Sequence, residues 1–465
     1  MLKIPTLKVS LVVLLAMGAW YCAPPPLSPE FISTIHPQSP VIIIPGMLGT
    51  QLLDPETGKV IWGKILDLKG LNPHQALINP DVDGLELPVD VRPIQNNRDR
   101  LIPISKLTSF QMINRILEVR VYRHLFESLS RCGLTEGNIQ RCSNSDNLYF
   151  FPYDWRRDLV ETAFLLGERI NEIKRVYKDP DLKVTLVVHS MGGVIAKYYM
   201  MYGQKDVISD VRHVDEIPEP DYSGARNIDK IFFLGTPHQG SVYSFKVLHK
   251  GRYLMPLVSA SRWVTFTMPS LYEMLPLDTR SLFVDTHGNP VALDIFDIQT
   301  WTEHGIGIFN DVEWKTFERE CAILFPDSSP ELAHKKWFEF RDFVEAALER
   351  GKRFQTALAK MDWGKVEPQY YIIAGNCHPT LSAIQFQPLE SGKYEFRAVK
   401  GRSFGRFFNE RYYFTDRGDK YVLFRDQVSE MHAATDVLFG CFVHSSIPSN
   451  HEVQRMIIEN LQARN

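Results

Sequence analysis

The residues best placed to do chemistry sit together in His189-Ser190-Met191-Gly192-Gly193, directly after the run Val184-Thr185-Leu186-Val187-Val188. A serine hydroxyl is a weak nucleophile at neutral pH and needs a base beside it to act on a carbonyl. The β-branched apolar run before it reads as a buried strand. Val194, Ile195, Tyr198 and Tyr199 then recur at three- and four-residue spacing, the period of a helix. Strand, sharp turn, serine, helix is the layout of a nucleophile elbow, which lifts the hydroxyl clear of a sheet. The Met191 amide falls at the start of the helix, where N–H groups lack internal partners. Such a group can stabilise a developing oxyanion. The usual G-x-S-x-G pattern is broken at its first position, which is Val188 here. A buried strand followed by a helix with an ordinary serine carries the same pattern.

A second segment, Val41-Ile42-Ile43-Ile44-Pro45-Gly46-Met47-Leu48-Gly49, is another apolar run broken by glycines. A run of this kind suits a strand buried on both faces of a parallel sheet. The second oxyanion donor of serine hydrolases comes from a loop after an early strand. The Leu48 amide is the candidate, and an ordinary Pro-Gly turn is the alternative.

These segments, with Pro152-Tyr153-Asp154-Trp155-Arg156 before the serine and Phe233-Leu234-Gly235-Thr236-Pro237-His238-Gln239-Gly240-Ser241 after it, resemble the lecithin:cholesterol acyltransferase family in both content and order. The resemblance runs from about Pro40 to the C-terminus. It implies an α/β-hydrolase fold, a mostly parallel sheet covered by helices on both faces, and a Ser-Asp-His triad in that chain order.

Chemistry independently requires a histidine to take the serine proton and an acid to orient that histidine. For the acid, Gly418-Asp419-Lys420-Tyr421-Val422-Leu423-Phe424-Arg425 resembles the family segment G-D-G-T-V-P-L-R, which selects Asp419; Asp416 and Asp426 are the rivals. It departs at Lys420, Tyr421, Leu423 and Phe424, and a hairpin tip explains the same residues. For the base, His444 lies in a loop just before a final helical pattern at Val453, Met456, Ile457 and Leu461, where the family places its own. His451 is the runner-up. The chain has 14 histidines, so most are bystanders, His189 among them.

The resemblance thus implies acyl transfer through an acyl-serine. The donor would be a glycerophospholipid and the acceptor a lipid alcohol or water, with a membrane or lipoprotein surface as partner. No metal or organic cofactor is implied. A triacylglycerol lipase or other carboxylesterase of the same fold is the alternative enzyme. A catalytically inactive lipid-binding protein is the non-enzymatic alternative, supported by Val188 and the altered segment after Asp419.

The elements that must hold these residues follow from their positions. Residues 40–242 form the first part of the sheet, with a lid-like excursion over about 62–107; a tryptophan near Trp62 contacts lipid in the family, which makes Trp62 a lid or substrate candidate. The helix before the nucleophile spans Glu161 to Val176, with Leu165, Ile170 and Ile173 on one side. Residues 243–364, rich in aromatics such as Tyr272, Trp314, Trp337 and Phe338, read as a cap that ends in charged amphipathic helices over Glu331 to Leu358. Residues 365–465 return to the sheet. Residues 1–22 have the charge and apolar run of an export signal or signal anchor, too short to span a bilayer comfortably, and 23–39 form a proline-rich lead-in. The chain is therefore expected to be exported and in contact with membranes. Export makes a Cys132–Cys142 disulfide feasible. At 465 residues and 44% hydrophobic, the chain can bury a large core, and a net charge of −3 carries no electrostatic footprint for nucleic acid.

Overall fold

Side chains alternate across a strand, so a strand apolar at every position must be covered on both faces. Val41–Ile44 and Val184–His189, buried at every position, lie at the centre of a sheet of seven parallel strands: β1 (Val41–Ile44), β2 (Glu136–Gly137), β3 (Leu148–Phe150), β4 (Val184–His189), β5 (Ile228–Leu234), β6 (Gln369–Gly375) and β7 (Asp436–Gly440), in the spatial order β7-β6-β5-β4-β1-β3-β2. The computed structural model describes residues 39–63, 82–90, 93–106, 110–112, 117–119, 121–211, 213–255, 258–260, 262–279, 282–285, 287–309, 330–388, 394–397 and 414–462. The export segment, Cys22, Trp314 and Cys321 lie outside them.

The two sheet faces pack two separate cores. Ile42, Ile44, Leu186, Val188, Ile231, Phe233 and Ile372 face one side, with the helices α2 (Leu159–Tyr177), α3 (Met191–Tyr202) and α4 (Val242–Lys250). Val41, Ile43, Val187, Phe232, Leu234 and Ile373 face the other, with α1 (Arg123–Arg131) and α6 (His451–Gln462). Each fully buried aliphatic side chain contributes about 1.5–3 kcal/mol. The fold is therefore the α/β-hydrolase arrangement expected from the sequence.

Boundaries shift slightly. α2 starts two residues earlier than expected because Asp158 caps it, accepting the Glu161 N–H at 2.9 Å. Lys178 ends it in the left-handed region at φ 57°. Ile170 and Ile173 are buried, but Leu165 faces solvent and leaves the expected stripe. The charged helices expected near the end of the insertion are one helix, α5, spanning Pro330–Ala359. Tyr272, Trp301 and Phe343, from the stretch expected to form the cap, join the same core as Val184 and Leu186 of β4. Phe338 stays exposed. Among the described residues no helix is long and apolar enough to cross a membrane.

Parallel pairing sends the C-terminal ends of all the strands to one edge. The order reverses around β1 and β4, and crevices of parallel sheets open at such points. The loops after β1, β4, β5, β6 and β7 meet there.

Candidate active site

Ser190 occupies the turn between β4 and α3 with φ 55° and ψ −124°, a conformation costly for a non-glycine residue by roughly 1–3 kcal/mol. Its N–H donates to the Leu234 carbonyl at 2.9 Å, and its own carbonyl accepts the Gly193 N–H at 2.9 Å. The tight approach falls after the serine, not before it. A Cβ on Gly192 would lie 2.6 Å from the Pro45 oxygen, and one on Gly193 would lie 2.1 Å from the Thr236 hydroxyl. Val188 pairs in register with Ile44 and Phe233 and points into the core, which is why the broken first position of the motif is tolerated.

His444 and Asp419 converge on Ser190 from far along the chain. His444 Nε2 lies 2.8 Å from Ser190 Oγ, and His444 Nδ1 lies 2.6 Å from Asp419 Oδ2. Asp419 is fully buried, and its Oδ1 accepts the N–H groups of Tyr421 (3.0 Å) and Val422 (2.8 Å). With Oδ1 accepting from two backbone N–H groups and Oδ2 facing the imidazole, His444 Nδ1 is the donor to Asp419, which leaves Nε2 to accept from the serine. The His444 N–H also donates to the Asp419 carbonyl at 3.0 Å. Two glycines make room: a Cβ on Gly375 would sit 2.6 Å from Asp419 Cβ, and one on Gly235 3.1 Å from both Asp419 Oδ2 and His444 Nδ1. Lys420 holds φ 87° where the resembling segment has glycine.

The rivals stand elsewhere. Asp416 is exposed on the strand Phe414–Gly418 beside Arg425, and Asp426 lies in the short helix Phe424–Gln427, also beside Arg425. His451 opens α6.

The loop after β1 is braced from below. Leu48 adopts φ 68°, and its carbonyl accepts the Trp62 indole N–H at 2.9 Å. Trp62, the lid or substrate candidate, is buried edge-on against Trp155, with centroids 5.6 Å apart, and here props this loop. The Pro152–Arg156 segment does similar work. Tyr153 donates to the Pro45 carbonyl at 2.8 Å and Trp155 to the Thr50 carbonyl at 3.2 Å. Their apolar, hydrogen-bonding character was visible in the sequence; the carbonyls they reach were not.

The expected Cys132–Cys142 disulfide is absent, and both are free thiols. Cys377 and Cys441 pair instead, because the parallel neighbours β6 and β7 end side by side. The bond ties the end of β6 to the start of the loop that carries His444. His378 Nε2 lies 3.9 Å from Cys441 Sγ, but with both sulfurs in the disulfide this cluster offers no thiolate to a metal.

Residues 106–326 match the family model described as lecithin:cholesterol acyltransferase. That segment contains Ser190 and both flanking motifs, and it ends before Asp419 and His444. No curated protein sequence matches the chain. Among solved structures, the Tle4-Tli4 complex aligns with a TM-score of 0.49 at 13% identity, over 92% of this chain and 99% of that one. The mature form of Bacillus licheniformis lipase BlEst2 aligns with a TM-score of 0.34 at 12% identity, over 95% and 97%. The family match supports an acyl-transferring or acyl-hydrolysing enzyme of lipids.

Proposed function

We propose, on the premise that residues 106–326 carry the lecithin:cholesterol acyltransferase pattern, that the chain is a serine-dependent lipid acyltransferase or acyl hydrolase. The observation that carries this reading is the unbroken row Asp419–His444–Ser190, at 2.6 and 2.8 Å. Ser190 Oγ attacks an ester carbonyl of a glycerophospholipid while His444 Nε2 takes the hydroxyl proton. Asp419 holds the imidazole in the useful tautomer and stabilises the imidazolium. The amides of Met191 and Leu48 receive the oxyanion. His444 then protonates the departing alcohol, and water or a lipid alcohol releases the acyl group by the reverse sequence. The same residues serve hydrolysis and transfer, so the acceptor decides the product. Action at a membrane or lipoprotein surface after export belongs to the same reading.

The test is product analysis with an acyl-labelled phospholipid, with and without a sterol or other lipid alcohol. Free labelled fatty acid or labelled ester is expected, and Ser190→Ala should lower either by at least roughly a thousandfold. Asp419→Asn should also be severe, whereas Asp416→Asn should not. Turnover that survives in Ser190→Ala sinks the reading. Turnover of triacylglycerol alone replaces the donor but keeps the chemistry.

A further inference from the structure

One buried histidine has no part in that mechanism. His189, immediately before Ser190, lies between Tyr122 and the base, with its ring centroid 5.8 Å from that of Tyr122 and 4.8 Å from that of His444. Three short contacts run through it. The Gly46 N–H donates to Tyr122 Oη at 2.9 Å. Tyr122 Oη lies 2.8 Å from His189 Nδ1. His189 Nε2 lies 3.0 Å from the backbone carbonyl oxygen of His444.

Proton accounting fixes the direction of every bond. A carbonyl only accepts, so His189 Nε2 carries hydrogen. The Gly46 amide only donates, so the tyrosine oxygen accepts from it and has one hydrogen left to give. A neutral imidazole protonated at Nε2 presents Nδ1 as an acceptor, and the tyrosine hydrogen goes there. The chain is therefore Gly46 N–H to Tyr122 O–H to His189 Nδ1, then Nε2–H to the His444 carbonyl. A second proton on His189 would leave the buried tyrosine hydrogen without its acceptor. Burial, and next the nearby His444, hold the His189 imidazole far below its ordinary pKa. A neutral ring here also spares the imidazolium that forms on His444 from a like charge.

The ends of this chain matter more than its middle. Gly46 belongs to the loop that carries the Leu48 amide, and a Cβ on Gly46 would press on Ser190 Cβ at 2.8 Å. His444 sits on a loop beyond β7, two sheet positions further from β4 than β5. Its N–H is gripped by Asp419, and its carbonyl is gripped by His189. We infer that Tyr122 and His189 are positioning residues that set the base against the oxyanion loop through one hydrogen-bond chain running from the loop after β1, through the last residue of β4, to the loop after β7. The inference rests on the acyl-serine reading above. Reactive groups must be held within about 0.5 Å, and a misplacement of about 1 Å can cost on the order of a hundredfold.

The test uses the full chain, a soluble p-nitrophenyl acyl ester for kcat and KM, and a fluorophosphonate probe for the rate of Ser190 labelling. The variants are Tyr122→Phe, His189→Phe and their double. Tyr371→Phe, which loses the hydroxyl of another buried tyrosine, controls for stability effects. Tyr122→Phe removes one oxygen and keeps the ring. It is expected to lower kcat and labelling by about ten- to a hundredfold while KM stays within about twofold. The double variant should be no worse than His189→Phe alone, because the two act as one unit. Wild-type kcat and labelling in folded Tyr122→Phe overturn the inference and leave the acyl-serine reading standing. So does a double variant whose loss is the product of the single losses. Should His189→Phe fail to fold, Tyr122→Phe alone still decides. Absence of Ser190 labelling in the wild type overturns both.

Discussion

At the scale of single residues, environment separates groups of the same type. Asp419 and Asp426 lie seven positions apart in the chain, yet one accepts two backbone N–H groups and faces His444 while the other is largely withdrawn from solvent beside Arg425. Burial raises the Asp426 pKa to about 6, against the opposing pull of Arg425. An acid whose folded pKa lies above its unfolded value binds protons more readily when folded, so stability falls as pH rises from the unfolded value of 3.8 towards about 6. Asp426→Asn should therefore raise Tm above wild type at pH 8 and leave the two equal near pH 4, by differential scanning calorimetry. An equal Tm at both pH values would show that the carboxylate is not strained by burial. Continuous apolar runs made β1 and β4 legible as strands, and the serine turn was legible because sequence-local residues build it. Asp419 and His444 were legible only through resemblance, since the sequence departs around Asp419 and leaves 14 histidines to choose from.

At the scale of elements, the elbow works because β1, β4 and β5 approach α3 more closely than side chains allow. Gly192 faces the carbonyls of Ile44 and Pro45, which cannot retreat without opening the sheet. Gly192→Val is expected to yield chain that is either poorly folded or, where folded, slowed at least about tenfold in fluorophosphonate labelling. Soluble variant protein labelled at the wild-type rate would mean the turn has slack that the geometry denies. The loop after β1 shows the limit of motif reading. Its brace comes from Trp62, Tyr153 and Trp155, each reaching a carbonyl through its polar edge, and such long-range contacts leave no periodic trace. The cysteines teach the same lesson. Short spacing favoured Cys132 and Cys142, but strand adjacency joins Cys377 to Cys441, 64 residues apart.

At the scale of the molecule, α5 is fastened to the start of α2 and to Asp206 through charge. Arg350 of α5 donates to Asp158 Oδ1 and to Asp206 Oδ2, each at 3.0 Å, while Asp158 caps α2. Burial alone would raise the Asp158 pKa, but the guanidinium outweighs it and holds the carboxyl below its ordinary value. Glu273, close by, is driven well above its usual range by burial and by the Asp158 charge. Breaking a buried pair on one side leaves an uncompensated charge, typically at roughly 3–5 kcal/mol. Arg350→Ala should lower the urea midpoint by that much stability, and an unchanged midpoint would show that α5 is held by its apolar face alone.

The sequence by itself determined the parallel strands, the turn that presents Ser190 and the broad class of chemistry, because each depends on neighbours along the chain. Asp419 and His444 were open to the sequence only through resemblance, and tertiary structure alone brought them beside that hydroxyl, chose which cysteines pair, and set His189 between the loops after β1 and β7. Those are meetings of residues separated by up to 255 positions, and only the parallel sheet, by delivering every strand end to one edge, brings them within hydrogen-bond reach.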